Sequence, residues 1–399
     1  MKVRIENLSE KVKDIVEEVR NFGDDAVVKY IRIFDGIKDF SIKDIRLEIK
    51  NKPKLNDRDF INAINLAIKN VSQYHIEEYK NLKKYWVKKY SGLQAGQKFV
   101  PINSVGVYIP GGKYGFNYIS TLIMTIIPAK VANVKNIVVV TPPKNVTNYF
   151  LYTLYLLGIR EVYRVGGVQA VAALAFGTKT IPKVDLVVGP GNIWVTEAKR
   201  QLFGIIGIDL LAGPSEVVVV ADKYTPYKQV AFELLAQAEH DKEAKSYLIG
   251  LDEEILSKVK ECIEKENSEL LAQIKFIFER DIRKVCDLIN QISPEHLTLL
   301  TEKQSFILKN VYNAGAIFFG KGASAVFGDY IAGPSHVLPT NTAARFSSGL
   351  SVLNFLKKIS IVKFSKNAVK NLSSLTSKLA EVEGMFWHKK RAEEVGYEL

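Results

Sequence analysis

From Val105 onward the chain repeats one pattern: a short apolar run, a Gly or Pro turn, then a stretch with helical spacing. Asn136–Val140 runs into Thr141-Pro142-Pro143, Glu161–Val165 into Gly166-Gly167, and Val184–Val188 into Gly189-Pro190-Gly191. Helical stretches fall near Val146–Leu157, Gln169–Phe176 and Trp194–Phe203. Strand starts about 22–25 residues apart, with helices between them, mean βαβ units and a parallel sheet. A second series follows Gly213-Pro214-Ser215, with strands at Glu216–Ala221, Ser246–Leu251 and Gly315–Phe319 and a helix over Tyr227–His240. Two α/β domains follow, with the Val105–Ala212 unit inserted into the other. Residues 1–100 read as mostly helical and highly charged. Leu8, Val12, Ile15 and Val19 share one face, and Asp57–Trp86 forms a second helical region with Ile61, Ile64, Leu66 and Ile68 apolar. Beyond Leu356 the sequence returns to charged, helical character.

Composition excludes several classes. Apolar residues at 47% beside charged residues at 25% are those of a soluble globular protein, not of a disordered or collagen-like one. Two cysteines, Cys262 and Cys286, cannot build a disulfide framework or a Cys-rich zinc site. The net charge of +12 raises the question of nucleic acid. Lys is spread along the whole chain, with local groups such as Lys83, Lys84, Lys88 and Lys89, and no nucleic-acid-binding motif accompanies it. The expectation is a solvated Lys-rich surface and no nucleic-acid partner. The N-terminal stretch is charged throughout and has no apolar leader core. The most apolar run, Ile119–Ala129, is too short for a membrane span, which needs roughly 20 residues. A cytoplasmic protein without a membrane partner is expected.

Several glycine turns fall at strand ends: Pro110-Gly111-Gly112, Gly166-Gly167 and Gly189-Pro190-Gly191-Asn192. Glycine lets backbone N–H groups approach a phosphate, and ligands of open α/β sheets sit outside the carboxyl ends of strands. None is a complete G-x-G-x-x-G, and each alone is equally a plain turn. Together they point to nucleotide binding in one crevice.

Histidine is scarce, and four of the five fall in short polar motifs. Gln237 and His240 stand three apart at the end of an apolar helix, on one face. They suit either a shared ion or a hydrogen-bonded pair closing the helix. In Ser293-Pro294-Glu295-His296, Ser at the N-cap and Pro in the first turn make a good helix start. The same segment offers two adjacent proton-transfer groups. Asp329 and His336 lie in a polar loop that is a metal-ligand candidate or simply structured. His388, near the C-terminus, is an exposed tail residue, or a ligand if the tail folds back or reaches another subunit. His75, in a helical stretch with Tyr74 and Tyr79, reads as structural.

Taken together these segments resemble the histidinol dehydrogenase family. The likeness runs from about Val105 to His388 through VGVYIPGG (Val105–Gly112), GVQA (Gly167–Ala170), GPGN (Gly189–Asn192), VTEAKR (Val195–Arg200), AGPSE (Ala212–Glu216), QAEH (Gln237–His240), PEHL (Pro294–Leu297), GDY (Gly328–Tyr330), HVLP (His336–Pro339) and Glu383-Gly384 ahead of His388. The resemblance implies two Rossmann-like α/β domains with mainly parallel sheets, plus small helical N- and C-terminal elements. Residues 1–107 with 215–355 would form one domain, 108–214 an inserted NAD-binding domain, and 356–399 a C-terminal element reaching the partner subunit. It implies a homodimer with shared active sites that oxidises L-histidinol through L-histidinaldehyde to L-histidine in two successive NAD-dependent steps, the last step of histidine biosynthesis, with one zinc ion per subunit. By similarity Gln237, His240, Asp329 and His388 are the zinc ligands, and Glu295 and His296 the acid–base pair. Tyr108, Gln169 and Asn192 match NAD-contacting positions. Ser215 and Glu383, with Gln237, His240, His296, Asp329 and His388, would contact substrate. Cys262 and Cys286 lie outside every motif, so oxidation through a hydrate fits better than through a thioester.

Overall fold

The computed structural model describes residues 2–90, 92–111, 118–239 and 242–397. In chain order the strands are β1 (Arg46–Glu48), β2 (Tyr85–Tyr90), β3 (Leu93–Pro101), β4 (Ser104–Tyr108), β5 (Asn136–Thr141), β6 (Glu161–Arg164), β7 (Leu186–Val188), β8 (Gly207–Ile208), β9 (Glu216–Ala221), β10 (Lys245–Gly250), β11 (Ile274–Phe278), β12 (His296–Leu300), β13 (Ala316–Phe319) and β14 (Leu356–Phe364). The helices are α1 (Lys2–Phe22), α2 (Asp24–Phe34), α3 (Arg58–Asn81), α4 (Ile119–Val131), α5 (Asn148–Leu156), α6 (Gly167–Phe176), α7 (Ile193–Leu202), α8 (Tyr227–Ala238), α9 (Glu253–Asn267), α10 (Ile282–Ile292), α11 (Gln304–Asn310), α12 (Ala325–Tyr330), α13 (Lys366–Val382) and α14 (Phe386–Tyr397). The chain divides into two compact units, Met1–Glu77 with Ile102–Phe355, and Glu78–Pro101 with Leu356–Leu399.

The larger unit holds two sheets. The first has the order β1-β6-β5-β4-β7-β8, parallel except for β1. Its central strand β4 is buried at every residue, as a strand covered on both faces must be. From β4 the chain continues through β5 and β6 to one side and through β7 and β8 to the other, so the strand order reverses between β4 and β7. Helices α1 and α2 pack on α6, and α1 also on α7. They bury Val12, Ile15, Val19, Val27 and Ile31 in one cluster with Ala170–Ala175 and Ile181. On α4, Thr121–Ala129 is buried throughout, so the longest apolar run of the sequence is a core helix. Among the described residues no helix is long and apolar enough to cross a membrane.

The second sheet, β11-β10-β9-β12-β13, is wholly parallel. Side chains alternate across it with period two. Val217 and Val219 of β9 join a cluster with Val230 and Leu234 of α8 and Ile255, Val259 and Cys262 of α9. Val218 and Val220 face the other way, with Leu297, Leu299, Val285, Cys286 and Ile289. Both cysteines are therefore core thiols in the helical layers.

The smaller unit is an antiparallel sheet of order β14-β3-β2 with the helical hairpin α13–α14. Sequence periodicity reads these segments as helical, since Lys88-Lys89 and Lys357-Lys358 blur the alternation of β2 and β14. Helix α3 stops at Asn81 and the strands begin at Tyr85. Gly96 marks the true geometry, because a Cβ there would lie 1.8 Å from the Trp86 carbonyl oxygen. In the hairpin, the Ser373 hydroxyl donates to the Ala392 carbonyl (2.6 Å) and the Ser377 hydroxyl to Glu393 (3.0 Å).

Candidate active site

Two polar regions form at opposite strand ends of the two parallel sheets. In the first sheet the region lies at the carboxyl ends. Tyr108 closes β4, Gln169 sits in the first turn of α6 after β6, and Asn192 caps α7 after β7. The reversal between β4 and β7 places this crevice at the topological switch point, where open α/β sheets bind ligands.

The local chemistry builds the crevice tightly. The Gly167 N–H donates to the Tyr108 hydroxyl oxygen (3.1 Å), and burial pushes the phenol up to about 12, so it stays neutral. Asn192 Oδ1 accepts from the N–H groups of Trp194 (3.1 Å) and Val195 (3.2 Å), the ordinary work of an N-cap. Gly189 has φ +112°, and a Cβ there would lie 2.1 Å from the Tyr108 carbonyl oxygen, so only glycine lets β4 and β7 end this close. A buried ion pair fixes this glycine. Lys199 Nζ donates to the Gly189 carbonyl (2.6 Å) and pairs with Asp209 Oδ1 (2.7 Å), while Asp209 Oδ2 accepts from the Gly189 N–H (2.7 Å). Gln169 is 1% exposed, and its Oε1 has no hydrogen-bond partner among the described residues. A buried acceptor without a donor is costly unless something fills it.

The second region lies at the amino ends of β9 and β12. Ser293 does not start a helix, as its sequence context suggests; it ends α10 in the left-handed conformation at φ +50°. Pro294 and Glu295 then lead directly into β12, whose first residue His296 pairs with Val217 of β9 and Ala316 of β13. Glu295 is thereby set beside the start of β9. Its carboxylate accepts from the Glu216 N–H (3.3 Å) and from the Ser215 side chain. Burial pushes this carboxyl above its ordinary range, against the opposing pull of His296 and Ser215.

His296 is 5% exposed and stands between three polar neighbours. Its Nδ1 lies 3.2 Å from Gln237 Oε1, and its Nε2 lies 3.6 Å from Asp329 Oδ1. Burial works to lower the imidazole pKa, but the charges of Glu295 and Asp329 outweigh it and the net shift is upward. Asp329 belongs to the short helix α12 rather than to a loop. His336 secures it: Nδ1–H donates to the Asp329 carbonyl (2.8 Å), which leaves Nε2 to accept from the Thr121 hydroxyl (3.1 Å). His336 thus belongs with the support of the site. His75 is fully buried on α3 with its ring edge-on to Tyr74, a core position.

Of the residues expected to bind metal, Gln237 and Asp329 meet at His296. His240 lies outside the described residues, two positions beyond the end of α8. His388, in the first turn of α14, and Glu383, at the end of α13, belong to the smaller unit and are exposed. Among the described residues no group of three His, Cys, Asp or Glu is close enough to hold an ion. The donors that are present nevertheless suit one. Gln237 Nε2 and His296 Nε2 are buried without hydrogen-bond partners among the described residues. Turning the Gln237 amide over would give Nε2 to His296 Nδ1 and free Oε1 as a ligand beside the Asp329 carboxylate.

Sequence reasoning missed the Lys199–Asp209 pair, ten residues apart, and Thr121 and the buried carboxylate Glu233, whose partners are remote in the chain. The one local trace was the spacing of Glu233 four residues before Gln237 on α8.

Comparison with known proteins gives a consistent picture. The family model described as histidinol dehydrogenase matches residues 1–394. The chain is 42% identical to the histidinol dehydrogenase of Caldanaerobacter subterraneus subsp. tengcongensis, across 97% of this chain and 92% of that protein. It is 39% identical to the histidinol dehydrogenase of Geobacillus kaustophilus, across 96% and 92%. The crystal structure of histidinol dehydrogenase from Elizabethkingia anophelis superposes with a TM-score of 0.89 at 34% identity, covering 97% of this chain and 92% of that one.

Proposed function

The chain belongs to the histidinol dehydrogenase family, and from that premise we propose that it oxidises L-histidinol to L-histidine in two successive NAD-dependent steps through the aldehyde. The observation that carries the reading is the cluster of buried Glu295, His296 and Gln237 with half-buried Asp329 at the amino ends of β9 and β12.

Each residue of the cluster has a task that its surroundings favour. His296, flanked by two carboxylates, is a strong enough base to take the hydroxyl proton as hydride leaves the substrate carbon. Glu295, held by Ser215 and the Glu216 N–H, takes a proton from the water that adds to the aldehyde, and the hydrate then loses the second hydride. No cysteine is needed, and both thiols are buried in the core. Zinc, held by Gln237, His240, Asp329 and His388 of the partner subunit, would bind the substrate imidazole and amine and orient the reacting carbon. Tyr108, Gln169 and Asn192 at the switch point would hold NAD, which would supply the hydride acceptor for both steps. Ser215, Glu383 and the metal-site residues would hold the substrate.

We keep 108–214 as the NAD-binding part, to which β1, α1 and α2 attach by pairing with β6 and packing on α6, 215–355 as the part that carries the acid–base pair, and 356–399, which pairs with 78–101 in the smaller unit, as the element that reaches a second subunit. Leu375, Leu379 and Val382 line one face of α13, with Met385, Phe386 and Trp387 exposed just beyond it. Such an apolar stripe supports a homodimer with shared sites. The lack of a membrane-crossing helix among the described residues supports work in the cytoplasm.

The test is NADH formation from L-histidinol with the purified protein, before and after chelation and after zinc is added back. Activity that chelation removes and zinc restores is expected. An inactive zinc-loaded protein, or full activity after metal stripping, would sink the reading.

A further inference from the structure

Four polar residues of the site sit on three different elements: Gln237 on α8, His296 at the start of β12, and Asp329 on α12, with Glu295 leading into β12. Something must set the distance between these elements. Helix α12 has only six residues and cannot hold its own place by helix propensity.

One buried carboxylate touches all three elements. Glu233 lies one turn before Gln237 on α8 and is 6% exposed. Its Oε1 accepts from the Thr298 hydroxyl (2.7 Å) and from the Ala325 N–H (2.6 Å). Its Oε2 accepts from the Ser324 hydroxyl (2.5 Å). Thr298 is two residues beyond His296, on the same face of β12. Ser324 is the N-cap of α12 and Ala325 its first residue, at the end of the helix opposite Asp329. The charge of Glu233 also acts on His296, raising its proton affinity.

We propose that Glu233 is a positioning residue: it fixes α12 and β12 to α8 so that Asp329, His296 and Gln237 converge. The inference rests on the proposed zinc site, whose oxygen donors it would align. A carboxylate suits the position because all three partners donate. An amide would turn an N–H towards at least one of them, so Glu233→Gln keeps the size and loses the fit. Residues behind metal ligands typically change affinity or activity by about 10–100-fold when altered.

A matched control exists. Asp222, at the opposite end of the same strands, is also a buried carboxylate; it accepts from the Thr301 hydroxyl (2.7 Å) and the Glu302 N–H (3.1 Å). Glu233→Gln, Ser324→Ala and Asp222→Asn would be compared with the unaltered full-length protein. The measurements are zinc affinity by chelator competition, amide hydrogen exchange of α12 in the metal-free protein, and melting temperature. The expected result is zinc binding about 10–100-fold weaker in Glu233→Gln, a smaller loss in the same direction in Ser324→Ala, and faster exchange at Ala325–Tyr330 in both. Asp222→Asn should melt earlier yet bind zinc as the unaltered protein does. Should Glu233→Gln prove insoluble, Ser324→Ala and the exchange data decide. Unchanged zinc affinity in folded Glu233→Gln and Ser324→Ala, or an equal loss in Asp222→Asn, would overturn the inference. If the unaltered protein itself binds no zinc, the proposed function has failed with it. If that protein binds zinc and turns over histidinol while the variants match it, only the role of Glu233 has failed.

Discussion

Glu295 is a carboxylate that must be ionised to act as a base, in a place that resists ionisation. Burial raises its pKa above the ordinary glutamate value of about 4.3, so the active, deprotonated form is lost at a higher pH than for an exposed glutamate. With L-histidinaldehyde as substrate, the rate should therefore fall as pH falls, with a midpoint higher than an exposed glutamate would give. In Glu295→Gln the rate should drop by about 10²–10⁴-fold and this acid limb should vanish. A pH profile from stopped-flow NADH formation checks it. An unchanged limb in the variant would assign the titration elsewhere. The adjacent Glu295-His296 was visible in the sequence. Its setting was not, because Ser293-Pro294 is chemically a good helix start, and only the left-handed φ of Ser293 shows that α10 ends there and β12 begins.

At the scale of elements, the two sheets use opposite edges. In the first, Tyr108, Gln169 and Asn192 gather at the carboxyl ends around the β4/β7 switch point. This much was legible, because glycine turns carry their reason locally. The second sheet sets Glu295 and His296 at the amino ends of β9 and β12, which no turn motif announces. The devices that align the elements were equally silent. Nothing in the sequence ties Lys199 to Asp209, yet the fold buries both against Gly189. Removing one partner of such a pair leaves an unpaired buried charge, a loss of about 3–5 kcal/mol. Lys199→Met should lower stability by that amount and raise the KM for NAD more than it lowers kcat. Lys199→Met combined with Asp209→Leu should recover stability without recovering NAD affinity. Chemical denaturation and NAD titration of the two variants test this. Recovery of both properties together would mean that the pair serves stability alone.

For the whole molecule, the Lys-rich stretches hide strands. The sheet β14-β3-β2 was unreadable because charged residues on both of its faces erase the alternation that betrays a half-buried strand. The same unit carries the exposed stripe of Leu375, Leu379 and Val382, and with it Glu383 and His388. Leu379→Glu with Val382→Glu should shift the protein from a dimer to a single chain in light scattering and abolish turnover. Mixed dimers of His388→Ala and Glu295→Gln chains should regain part of the activity that each lacks alone; confirmed mixed dimers without activity would argue against shared sites. The claim at the centre of the account is that one site performs both oxidations, with different residues as base in each. Counting NADH formed per L-histidinol consumed tests it most directly. The account predicts two for the unaltered protein and one, with aldehyde accumulating, for Glu295→Gln. One per histidinol in the unaltered protein, or two in the variant at an undiminished rate, would contradict it.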